Sequence, residues 1–150
     1  LRPNFFQAHL NLGTVLKDLG QLQEAESSTR KALELNPNFA IAHSNLGNVL
    51  NDLGQLKEAE VSYRKAIKIN PNLAMAHSNL GTLLIELGRL EESIVCYEEA
   101  INLDENLDEA KAGMGTILMK TGKLREGIFK MREANGSINF NYKNPNIIVN

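Results

Sequence analysis

Apolar and small residues return along this chain at helical spacing, in blocks that start afresh every 34 residues. Within residues 37–70, the first block sets Ala42, Leu46, Gly47, Leu50 and Leu53 on one helix face. Gly54 follows, and Gly takes the left-handed position beyond a helix end without steric cost. A second block carries Leu56, Ala59, Tyr63, Ala66, Ile67 and Ile69 and stops at Asn70-Pro71. Pro cannot donate the next backbone hydrogen bond and disfavours helix in its predecessor. The pattern predicts helix, tight turn, helix. Asn38 stands where its side-chain oxygen would cap the first of the two. Neither helix is long enough to be stable alone in water, so packing on neighbours has to supply the stability.

The same unit recurs along the chain. Pro3, Pro37 and Pro71 stand 34 residues apart, each followed by Asn, with Gly13, Gly47, Gly81 and Gly20, Gly54, Gly88 in the same register. The next step reaches Glu105, Asn106, Gly115 and Gly122, a fourth copy without its Pro. A period of this length predicts one structural unit stacked several times. Such stacks build extended surfaces rather than deep catalytic pockets. Gly47 and Ala59 have almost no side chain and let the paired helices approach; their counterparts are Gly13/Ala25, Gly81/Ser93 and Gly115/Gly127. Leu1-Arg2-Pro3-Asn4 matches Leu35-Asn36-Pro37-Asn38, so the chain is expected to be cut from a longer array at a unit boundary.

The run A-H-S-N-L-G from Ala42 to Gly47, then L-G-Q-L-x-E-A from Leu53 to Ala59, with Tyr63, Ala66 and Pro71, resembles the tetratricopeptide repeat. The resemblance covers about nine-tenths of the chain. It implies an all-α fold, a right-handed α-solenoid of four helix-turn-helix units at 3–36, 37–70, 71–104 and a degenerate 105–136. His9, His43 and His77 stand where the family usually carries an aromatic, as do Thr29 and Met131 on second helices. Ser137–Asn150 leaves the helical rhythm and forms a short non-helical tail, either disordered, the stub of a further domain, or a β-prone hairpin.

By the same resemblance, the first helices line a concave groove that holds a peptide or protein segment. Its inward positions would include Ile41 and Met75, Ser44 and Ser78, and the ladder Asn11, Asn45, Asn79. Thr14, Asn48 and Thr82 come next, with Asp52 and Glu86 towards the rim. An amide side chain donates and accepts, so it can satisfy both the N–H and the C=O of a peptide backbone. The ladder is similar to that of O-linked N-acetylglucosamine transferases; the alternative is a polar position between units with no ligand role. Gly113 interrupts it in the fourth unit. The basic clamp that some family members close on acidic chaperone tails has no counterpart here. Asp18, Asp52 and Glu86 would favour a neutral or basic ligand instead, mainly by steering.

Composition removes other classes. A formal charge of −2 and a pI near 6.0 give no basic surface for nucleic acid. No apolar run approaches the ~18–20 residues of a membrane span. One cysteine, Cys96, allows no intrachain disulfide, and a cytoplasmic location is expected. The three histidines sit one per unit, too far apart for a shared metal ion, and no cofactor motif is present. The reading is a protein-protein interaction module without catalysis of its own. Two alternatives stay open, the recognition array of a larger enzyme and self-assembly through array ends or tail.

Overall fold

The computed structural model describes residues 5–122, which form α1 (Phe5–Asp18), α2 (Leu22–Leu35), α3 (Ala40–Asp52), α4 (Leu56–Ile69), α5 (Ala74–Glu86), α6 (Leu90–Leu103) and α7 (Asp108–Lys120). The expected second helix of the fourth unit and the tail from Ser137 lie outside the described residues. Helices pair as hairpins, α1 with α2, α3 with α4, and α5 with α6. Each second helix also rests on the next first helix, α2 on α3, α4 on α5 and α6 on α7. First helices touch one another as well, α1 with α3, α3 with α5 and α5 with α7, whereas neighbouring second helices make no backbone contact. Each hairpin is thus a wedge, narrow on the side of its first helix. Stacked wedges curve into an all-α solenoid with α1, α3, α5 and α7 on the inner wall.

Local chemistry explains the turns. Gly54 has φ 74°, and the N–H groups of Gly54 and Gln55 reach the carbonyls of Asn51 and Leu50 at 2.9 and 2.8 Å. These are the two bonds that close a helix with a left-handed residue. At the other connection the cap expected at Asn38 is not made. α3 starts one residue later, after Phe39, with no side-chain cap bond. The reason is the turn before it, where the Phe39 N–H bonds back to the Asn36 carbonyl at 3.3 Å. His43 and His77 pin these connectors: each Nε2–H donates to the carbonyl of Pro37 or Pro71 at 2.9 Å. A carbonyl can only accept, so the proton is on Nε2.

The core runs along the stack as successive clusters. Leu46, Leu50, Ala59, Tyr63, Leu80, Leu83 and Leu84 form one cluster across α3, α4 and α5. Tyr97, Ala100, Leu107, Ala110, Met114, Ile117 and Leu118 form the next. Full burial of one such leucine or isoleucine stabilises by about 1.5–3 kcal/mol. Between α1 and the connector before α3, Phe6 meets Phe39 edge to face, with ring centroids 5.2 Å apart.

Glycine sets how close the helices come. A Cβ on Gly47 would sit 2.5 Å from the Tyr63 ring, and one on Gly81 3.1 Å from the Tyr97 ring. Tyr97 also lies against Gly113 of α7, where an added Cβ would overlap the phenol. One ring therefore locks α5, α6 and α7 together. Ser93, the counterpart of Ala59, is fully buried and donates its hydroxyl to the Gly81 carbonyl at 2.6 Å.

Gly47→Ala should destabilise by ~1–3 kcal/mol because the Tyr63 ring must move. Gly81→Ala should cost clearly less, since its neighbour has only to give by a few tenths of an ångström. Chemical denaturation of the two variants checks the order, and equal midpoints would contradict the seam. His43 gives a pH prediction. Burial holds its imidazole below the usual pKa of 6.5, outweighing the hydrogen bond to Pro37 that favours the charged form. As pH falls below 6.5 the unfolded chain takes up this proton more readily, so stability should drop there. An NMR titration that puts His43 at or above 6.5 would refute this.

Candidate functional site

The inner wall carries the amide positions, but each asparagine is already partly engaged. The Asn45 amide N–H donates to Thr14 Oγ1 at 3.3 Å, and that of Asn79 donates to Asn48 Oδ1 at 2.9 Å. Asn48 Oδ1 also accepts from the Tyr63 hydroxyl at 2.8 Å. Thr82 Oγ1 meets the Tyr97 hydroxyl at 2.8 Å, the same link with a threonine in place of Asn48. Amides and hydroxyls of successive first helices are therefore stitched unit to unit. Each stitch uses one N–H of Asn45 or Asn79, while no described residue donates to the Oδ1 of either. Those oxygens are not among the sealed unpartnered atoms, a class that holds only Asn51 Oδ1 among the described residues. Asn45 and Asn79 are thus half committed to the scaffold and half open.

The other expected groove residues divide. Asn11 and Thr14 are exposed on α1, where Asn11 Oδ1 accepts from Gln7 Nε2 at 2.9 Å. Ile41 and Met75 are exposed apolar side chains one helical turn before Asn45 and Asn79. Asp52 and Glu86 are exposed at the ends of α3 and α5, with Lys17 3.3 Å from Asp52. Burial, then these two carboxylates, push the Tyr63 phenol far above its usual pKa. Ser44 and Ser78 are corrected: both are buried and present no surface to a ligand. Their position lies on the side of the first helix turned into the stack, where Leu10 of the first unit is buried too. The break at Gly113 also has a physical cause, because the Tyr97 ring occupies the place an asparagine side chain would need.

Sequence reasoning missed the outer face. Arg30 of α2 reaches Glu58 of α4 at 3.2 Å, and Arg64 of α4 reaches Glu92 of α6 at 3.4 Å. Arg89 adds a link to Glu60 at 2.9 Å. Burial alone would raise the Glu60 pKa, but hydrogen bonds from Arg64 and Arg89 outweigh it and hold the carboxylate below its ordinary range. Solvent screens exposed pairs of this kind, so they guide spacing more than they stabilise. Their signal was the recurrence of Arg and Glu at one unit position, with a 28-residue offset between partners. Cys96 lies half-buried beside this network, and burial pushes its thiol pKa up, away from a reactive thiolate.

Amides, hydroxyls and two apolar anchors can hold a chain, and comparisons with known proteins agree in fold. Among solved structures, a crystal structure of MamA is 24% identical with TM-score 0.79, covering 90% of this chain and 79% of that one. The first tetratricopeptide domain of Spaghetti (RPAP3), bound to the HSP90 peptide SRMEEVD, is 21% identical with TM-score 0.76, covering 81% and 97%. An O-GlcNAc transferase mutant from Thermobaculum terrenum is 24% identical with TM-score 0.73 over 76% of this chain but 22% of the enzyme. No curated protein matches the sequence. No helix among the described residues is long and apolar enough to cross a membrane. The tetratricopeptide repeat model matches residues 6–39, 40–73 and 74–107, more than half of the chain, which therefore belongs to the tetratricopeptide repeat family.

Proposed function

We propose that this chain is a non-catalytic binding module that holds an extended peptide or protein segment along its inner wall. The observation that carries the reading is the pairing of half-open amides, Asn45 and Asn79, with exposed Ile41 and Met75 one turn away. Each amide can take a ligand backbone N–H on its free oxygen, and each apolar side chain can cover a ligand side chain. Thr14 and Asn48 hold the amides of Asn45 and Asn79 in place, and Thr82 meets the Tyr97 hydroxyl beside them. The reading uses units 3–36, 37–70, 71–104 and a degenerate 105–136, of which the last supplies α7.

Charge selects the ligand class. Asp52 and Glu86 give the rim a negative cast, and Lys17 is already beside Asp52. A neutral or basic segment with spaced apolar residues fits; an acidic tail does not. The neighbour that holds SRMEEVD therefore supports peptide binding as a mode without passing on its ligand. A second reading, the recognition array of a larger enzyme, draws support from the likeness to the transferase, whose array forms part of a longer chain. A cytoplasmic location belongs to the same proposal, with Cys96 as a single thiol that has no intrachain partner.

The test is a peptide library on the 150-residue chain, followed by titration calorimetry with the best binder. Asn45→Ala with Asn79→Ala should weaken binding about tenfold or more, equivalent to ~1.4 kcal/mol. Asn79→Ala also removes a hydrogen bond and should cost ~0.5–1.5 kcal/mol of stability, so affinities are compared well below the melting range. Ile41→Ser with Met75→Ser should weaken binding with little change in Tm, since both side chains are exposed. Unchanged affinity in both double variants would rule the groove out, as would preferential capture of SRMEEVD over neutral and basic peptides.

A further inference from the structure

Phe5, Ala8, Leu12, Val15 and Leu19 fall at steps of three and four residues along α1 and its end. All five are exposed, with Leu12 at 48%, Val15 at 55% and Leu19 at 70%. One unit on, Phe39, Ala42, Leu46, Val49 and Leu53 occupy the same places, and two units on, Leu73, Ala76, Leu80, Leu83 and Leu87. There the stripe is buried or half-buried, with Leu46 at 5%, Val49 at 1%, Leu80 at 2% and Leu83 at 1%. The cover is the second helix of the unit before: α2 lies on α3 and α4 on α5. Tyr63 of α4 shares a cluster with Leu80, Leu83 and Leu84, and Leu56 and Ile67 pack against it.

Polar contacts point the same way. Asn45 reaches back to Thr14, Asn79 to Asn48, Asp52 to Lys17, Glu58 to Arg30 and Glu92 to Arg64. Each joins a residue to the unit that precedes it. The counterparts in the first unit are Asn11, Asp18 and Glu24. Asn11 is met only by Gln7 of its own helix among the described residues, and neither Asp18 nor Glu24 has an ion-pair partner among them. A capping unit needs a polar outer face, and a contiguous apolar stripe of this kind marks an interface.

We propose that this face of α1 is a continuation interface, occupied by a further tetratricopeptide unit one 34-residue step ahead of α1 and docked through its second helix. That helix carries the apolar stripe of α2 and α4, with an Arg in register with Arg30 to meet Glu24. Its partner first helix carries a hydroxyl or amide in register with Thr14 to receive Asn11. Two interfaces of the same array, α2 on α3 and α4 on α5, continue onto this face whether or not the inner wall binds peptide.

The test compares the 150-residue chain with one in which a copy of residues 37–70 replaces Leu1-Arg2, so that the copied Asn70 runs into Pro3 in register. Leu12→Gln with Val15→Gln is made in both. The substitutions should lower Tm by about 4–8 °C in the extended chain and by no more than about 2 °C in the shorter one. Equal effects in the two chains would overturn the proposal. So would a dimer of the 150-residue chain, seen in sedimentation, that the two substitutions dissolve, because a second copy would then be the occupant.

Discussion

The close approach of neighbouring first helices, unmatched by the second helices, is the constraint on which the molecule depends. Inside each hairpin, side-chain size sets the spacing. Glycines at 13, 47 and 81 bring each first helix onto its partner, and Tyr63 and Tyr97 fill what remains. On the inside the gap between units is short enough for an amide to span, as in the 2.9 Å bond from Asn79 to Asn48. On the outside it takes an arginine, as in the 3.2 Å contact from Arg30 to Glu58. Curvature, the inner wall and the two kinds of cross-unit contact all follow from that difference.

The amide ladder joins a scaffold role to the binding role proposed for the same residues. A primary amide has two donors and one acceptor with two lone pairs. One donor is used to register the next unit, and the acceptor stays available on the inner wall. A serine or threonine hydroxyl also donates and accepts, but from a shorter side chain with a single donor. Where the ladder stops, at Gly113, an aromatic ring takes over the job of joining units. The fourth position is therefore built for packing.

Much of the fold was legible because it is local and repeated. Gly54 announced the end of α3, and Pro71 the end of α4, through backbone chemistry that needs no neighbour. Ser44 and Ser78 misled because a small polar residue on a helix gives no sign of which wall it faces; both turned out buried. Asn38 looked like a cap, but the preceding turn had already set the chain's path. The Arg–Glu links were hidden because partners lie 28 residues apart, a spacing set by how the wedges stack. The exposed stripe on α1 is the opposite case. Its sequence is that of a buried face, and only its surroundings differ.

Distances between spin labels test the wedge most directly. Labels at cysteines replacing Gln7 and Met75 report the inner wall, and labels replacing Ser27 and Val95 report the outer one, with Cys96→Ser to remove the native thiol. All four sites are exposed, and each pair spans the same two unit steps. The outer pair should be clearly farther apart than the inner pair. Equal separations, or a longer inner distance, would contradict a curved array with its first helices inside.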